Sequence, residues 1–135
     1  MTRILRSSYI VSADANAVNQ MTDILMKHDY TVTIEKSIIK LISSMLEKEI
    51  CLLILDLDPP QGLNIDSIDI VRKLRPRLPI IVLSVDNSLE MLKMLVQKGV
   101  FYTVFKPIQA DEIEEVIQAV AQSHCKNTAY LNYAK

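Results

Sequence analysis

The stretch Cys51-Leu52-Leu53-Ile54-Leu55-Asp56 decides how this chain is read. An unbroken apolar run ends at a carboxylate, and Asp58, Pro59 and Pro60 follow at once. A strand apolar at successive positions is buried on both faces, as in a parallel sheet covered by helices. An acid at its end lies at the carboxyl edge of the sheet, where open α/β folds place their ligands. Asp56 is therefore the first candidate for chemistry.

Outward from this strand the pattern alternates. Tyr9-Ile10-Val11 reads as a strand, and Val18, Met21, Ile24 and Leu25 recur at the spacing of one helix face. Tyr30 to Ile34 is rich in β-branched residues, and Ile38, Ile39, Leu41, Ile42, Met45 and Leu46 read as a second helix. Ile68, Val71 and Leu74 give a third. Pro79 introduces Ile80-Ile81-Val82-Leu83, another run of the buried type. Asn87 or Ser88 can cap a fourth helix that Gly99 stops, and Val100 to Phe105 is the last strand. Ile113, Val116, Ile117 and Val120 then mark a fifth helix with acids in its first turn, which suits the helix dipole. Strict βα alternation with short connections predicts right-handed crossovers and one doubly wound parallel sheet. A flavodoxin-like (βα)5 fold with strand order 2-1-3-4-5 is the expected architecture. It should occupy residues 8–122, and residues 123–135 read as a tail or short extension.

Composition narrows the function classes. A chain of 135 residues makes one domain that needs no disulfide staples. No apolar run approaches the ~20 residues of a membrane span, and no apolar block follows the charged N-terminus, so a cytoplasmic protein is expected. Cys51 and Cys125 have no metal-type spacing, and His124 beside Cys125 does not make a metal site. A net charge of -1 argues against a nucleic-acid footprint, and the tail is too short for a DNA-binding domain. The basic cluster Arg72, Lys73, Arg75 and Arg77 reads as the solvated side of the third helix.

Asp56, Ser84 and Lys106 fall at the ends of three strands that are neighbours in this order. A carboxylate, a hydroxyl and an ammonium suit a phosphoryl group: the first can attack, the second donate, the third neutralise charge. At this point the chain resembles the receiver domains of two-component response regulators, of the chemotaxis-regulator type. Asp56 with Pro60 beyond it resembles the family's phosphoacceptor and following proline. Leu83-Ser84 resembles the strand-four Thr/Ser, and Gly99 with Phe105-Lys106-Pro107 resembles the strand-five lysine segment, with a cis peptide before the proline. The resemblance implies a stand-alone receiver that takes a phosphoryl group on Asp56 from a histidine kinase or phosphotransfer protein. It would signal to a downstream protein through its fourth helix, fifth strand and fifth helix. Phe101 and Tyr102 are candidate anchors on that face, a homodimer is compatible with it, and no enzymatic turnover beyond self-phosphorylation and dephosphorylation at Asp56 is expected.

The departures bear on Mg²⁺. The family's first strand ends in adjacent acids that hold this ion, and here Ser12 and Ala13 take those positions. Asp14 is the nearest acid, and it also suits the N-cap of the first helix. The metal set implied is Asp56, Asp58 and Asp14, with weakened affinity because Mg²⁺ demands well-placed oxygen ligands. The strand-five aromatic is replaced by Thr103, with Tyr102 one residue earlier, and the loop Gln61 to Ile65 is longer than usual. Two other functions stay open. A pseudo-receiver would keep the fold as a phosphate-independent interaction module. Asp56-Leu57-Asp58 also resembles the DxD motif of haloacid-dehalogenase-type phosphatases, although Pro59-Pro60 breaks the usual continuation and no acid pair ends a strand after Lys106.

Overall fold

The computed structural model describes residues 5–58 and 65–122. Five strands alternate with five helices: β1 Arg6–Val11, α1 Ala15–Lys27, β2 Tyr30–Glu35, α2 Ile38–Glu47, β3 Leu52–Asp56, α3 Ser67–Leu74, β4 Ile80–Ser84, α4 Leu89–Gln97, β5 Tyr102–Phe105 and α5 Ala110–Val120. All strand pairs are parallel and the order is β2-β1-β3-β4-β5, as expected. The tail from 123 onward and most of the long loop after Asp58 lie outside the described residues, with His124 and Cys125 among them. Among the described residues no helix is long and apolar enough to cross a membrane.

The apolar runs explain the layering. Every residue of β3 and of β4 is buried, because side chains alternate between two covered faces. Leu52 and Ile54 enter one core with Met21 and Leu25 of α1 and Ile113 and Ile117 of α5. Leu53 and Leu55 enter the other, with Leu41 and Met45 of α2, Ile68 and Val71 of α3 and Leu95 of α4. Fully burying a side chain of this size contributes roughly 1.5–3 kcal/mol, so these two strands anchor both layers.

Helix ends follow their sequence signals. Asp14 Oδ1 caps α1 by accepting from the Asn16 and Ala17 N–H groups at 3.1 and 3.2 Å. Ser37 caps α2, and Ser88 rather than Asn87 caps α4. Beyond α4 the chain turns at Gly99 with φ +79°, where a side chain would strain the backbone. Three expectations need correction. β1 begins at Arg6, earlier than its apolar residues show, because Ser8 is buried with its hydroxyl donating to the Thr31 carbonyl. Arg72 is not merely solvated: its guanidinium donates to the carbonyls of Leu78 at 2.7 Å, Gly99 at 2.8 Å and Pro76 at 3.0 Å. Phe101 is not an exposed anchor, since it is half-buried and packs against the α1/α5 core.

Candidate functional site

Strand register brings the candidate residues to one edge. Val11 pairs with Leu55, Asp56 with Leu83, and Ser84 with Phe105. Ser12, Asp56, Ser84 and Lys106 therefore all stand at, or one step beyond, the carboxyl ends of four adjacent strands. Asp56 is only 5% exposed. Its Oδ2 accepts from the Ser12 hydroxyl at 2.7 Å and from Lys106 Nζ at 2.8 Å, and its Oδ1 accepts from the Asp58 backbone N–H at 2.9 Å. A buried carboxylate needs such partners, because an unpaired buried charge is strongly disfavoured.

Lys106 gathers the acids. Its Nζ lies 2.9 Å from Asp14 Oδ2 and 2.9 Å from Asp58 Oδ2, in addition to Asp56. Asp14 thus caps a helix with one oxygen and meets the lysine with the other. Asp58 also serves twice, since its Oδ1 accepts from the Val85 N–H at 3.0 Å. Ser84 is nearly inaccessible, at 1% exposed, but its hydroxyl turns to its own loop. There it accepts from the Asp86 N–H at 3.0 Å and donates to the Asp86 carbonyl. Asp56 and Lys106 are joined directly by their side chains; the Ser84 carbonyl accepts from the Lys106 backbone N–H at 3.0 Å, while the Ser84 hydroxyl bonds to neither side chain.

Electrostatics follow from these contacts. Burial works against the Lys106 ammonium, but its hydrogen bonds to Asp56, Asp58 and Asp14 outweigh that and raise its pKa above the ordinary lysine value. It therefore stays a cation, fit to neutralise charge and unfit to accept a proton. The hydrogen bond from Lys106, with those from the Ala17 and Asn16 N–H groups, holds the Asp14 carboxyl below the usual range. Tyr102, on β5, donates to Glu112 Oε2 at 2.6 Å, and this bond raises the phenol's pKa.

Receiver domains typically bind Mg²⁺ at acidic residues. The donors here, Asp14, Asp56 and Asp58, are the hard oxygens that this ion takes. They can hold it only in competition, because the Lys106 ammonium stands where the three carboxylates meet, in the place of a cation. Among the described residues no group of three His, Cys, Asp or Glu side chains is disposed to hold a metal. Two contacts had no distinct signal in the sequence. Ser12 read only as a missing acid, yet it donates to the central carboxylate, and Asp58 read only as a member of the implied metal set, yet it ties β3 to the turn after β4.

The sequence matches the response regulator receiver domain family over residues 9–118. Among solved structures it is similar to a two-component response regulator from Clostridium difficile, at 13% identity and TM-score 0.78, covering 87% of this chain and 97% of that one. A chemotaxis response regulator of Vibrio cholerae gives 16% identity and TM-score 0.75, covering 86% and 98%. A CheY-like receiver domain protein from Methanospirillum hungatei gives 21% and 0.75, covering 87% and 95%. At these identities the structures speak for the fold alone. No protein of curated function matches the sequence. With the family matched over most of its length and the five-stranded parallel fold in place, the chain belongs to the response-regulator receiver domains of two-component signalling.

Proposed function

We propose that Asp56 is the phosphoacceptor of this receiver and that a histidine kinase or phosphotransfer protein is its donor. The observation that carries this is the Asp56 carboxylate, buried at a strand end and 2.8 Å from an ammonium. A carboxylate oxygen attacks the phosphorus of a phosphohistidine; the O–P bond forms as the P–N bond breaks, and the imidazole leaves with a proton from solvent. Lys106 offsets charge on the transferring group, and Ser84 is the neighbouring hydroxyl that can turn from Asp86 to donate to a phosphoryl oxygen. Mg²⁺ affinity is weaker than at a site with paired first-strand acids, because the ion must compete with Lys106 for Asp14, Asp56 and Asp58. Receiver domains are generally non-enzymatic signalling modules, and we assign no phosphatase turnover. Acetyl phosphate treatment followed by intact-mass measurement tests the proposal. The wild type should gain one phosphoryl group and Asp56→Ala none; an equal gain in both would refute it.

The signalling face in this proposal is α4, β5 and α5. Leu89, Val96 and Tyr102 are exposed there, and a downstream protein or a second copy can cover them. One observation favours a second function. With Ser12 and Ala13 in place of acids and Lys106 already engaged by three carboxylates, the fold can serve as an interaction module without phosphate. That version predicts partner binding unchanged by Asp56→Ala.

A further inference from the structure

We propose that Asp58 is an intramolecular anion that occupies, in the resting protein, the donors a phosphoryl group on Asp56 requires; the inference rests on the acceptor role of Asp56. The Asp58 carboxylate is mostly buried and bridges two donors from different strand ends. Oδ1 takes the Val85 N–H at 3.0 Å, and Oδ2 lies 2.9 Å from Lys106 Nζ. The same lysine holds Asp56 at 2.8 Å, and the Asp58 backbone N–H holds the other Asp56 oxygen at 2.9 Å. Asp58 is therefore pinned beside the acceptor by its own main chain, with its side chain turned across the space next to it.

Two physical effects point the same way. An anion bonded to Asp56 lies within reach of Lys106 and of the turn at Val85, and Asp58 already takes both, the Val85 N–H by a charge-assisted hydrogen bond at 3.0 Å and the ammonium by an ion pair at 2.9 Å. The site also holds three carboxylates against one ammonium, so a phosphoryl group arrives among like charges. Modification of Asp56 thus has to displace Asp58 from Val85 and from Lys106. This exchange couples the acceptor to the loop after β4, whose first residue is Val85, and so to α4. Asp58 acts here as a positioning residue that holds the loop in its unmodified state and raises the threshold for the modified one.

The test uses Asp58→Ala, which removes the carboxylate, and Asp58→Asn, which keeps an oxygen for Val85 but drops the charge. In the first arm beryllofluoride is titrated into each protein at a Mg²⁺ concentration shown to saturate that protein, and the Val85 amide is followed by NMR. Asp58→Ala should reach half-saturation at about tenfold lower beryllofluoride than wild type, the scale of one charge-assisted hydrogen bond, with Asp58→Asn between. The second arm removes the acceptor: Asp56→Asn and the Asp56→Asn/Asp58→Ala double variant are titrated with inorganic phosphate. The double variant should respond at Val85 at about tenfold lower phosphate. Equal responses in the second arm, absence of response included, overturn the role of Asp58. If that arm succeeds while beryllofluoride binds neither wild type nor Asp58→Ala, the acceptor role of Asp56 falls and the intramolecular anion stands. If beryllofluoride binds wild type as readily as Asp58→Ala, the acceptor stands and the competing anion falls.

Discussion

Ser12 occupies a position where the family resemblance implies an acid, and its hydroxyl donates to Asp56 at 2.7 Å. The exchange of a carboxylate for a hydroxyl removes a metal donor and supplies a neutral partner in its place, so the central charge is satisfied without an ion. Ser12→Asp should reverse this. Without metal, a second carboxylate against Asp56 should lower stability by roughly 1–3 kcal/mol, since it replaces a donor with a like charge. With Mg²⁺ at about a hundred times its dissociation constant, about 2.7 kcal/mol should return. Urea unfolding in EDTA and in Mg²⁺ measures both, and a Mg²⁺ response in Ser12→Asp no larger than in wild type would count against this account. Asp14 shows why residue roles were only partly legible. Helix cap and acidic partner look like alternatives in a sequence, but a carboxylate has two oxygens: Oδ1 caps α1 while Oδ2 meets Lys106.

At the level of elements, the fold holds its connections together with long side chains that periodicity does not register. Arg72 lies on the polar side of α3, and a polar helix face ordinarily reads as solvated. Its reach carries the guanidinium across to Leu78 before β4 and to Gly99 after α4, satisfying carbonyls that no ladder pairs with. Arg75 likewise donates to the Met45 carbonyl of α2. Arg72→Ala should therefore cost about 2–3 kcal/mol in chemical denaturation, and Arg72→Lys should recover little of it, because one ammonium cannot reproduce the fork. A loss below about 0.5 kcal/mol would mean that the clamp is incidental. Tyr102 joins β5 to the first turn of α5 through Glu112, and the sign of its pH effect follows from the raised phenol pKa. The protonated phenol is favoured by the fold, so its contribution is complete below the unfolded value near ~10 and is lost as pH rises through the folded one. Tyr102→Phe should flatten that alkaline decline, seen as a smaller fall in melting temperature between neutral pH and pH above ~10.

Across the whole molecule, the two apolar runs in β3 and β4, each bounded by turn residues and set between helical stripes, made the parallel sheet legible, since strands covered by helices on both faces bury consecutive residues. The strand order followed from alternation and resemblance together. What stayed hidden was contact across the carboxyl edge, because register to the nearest residue decides which strand ends meet. The sheet also divides the interior: Ile117 of α5 lies in one core and Ile68 of α3 in the other, with the strands between them. Interior packing is dense enough that a lost methyl is felt by its neighbours, yet these two residues share no cluster. Ile117→Val and Ile68→Val should each cost about 1 kcal/mol, and the double variant should equal their sum within about 0.5 kcal/mol. Equilibrium unfolding of the four proteins, with a single transition in each, supplies the comparison. A coupling energy above about 1 kcal/mol would mean that β3 and β4 shift as a layer when either side is loosened. Additivity would instead mark the sheet as a rigid partition, which is what the carboxyl edge needs if Asp56, Ser84 and Lys106 are to keep their places while the loops beside them move.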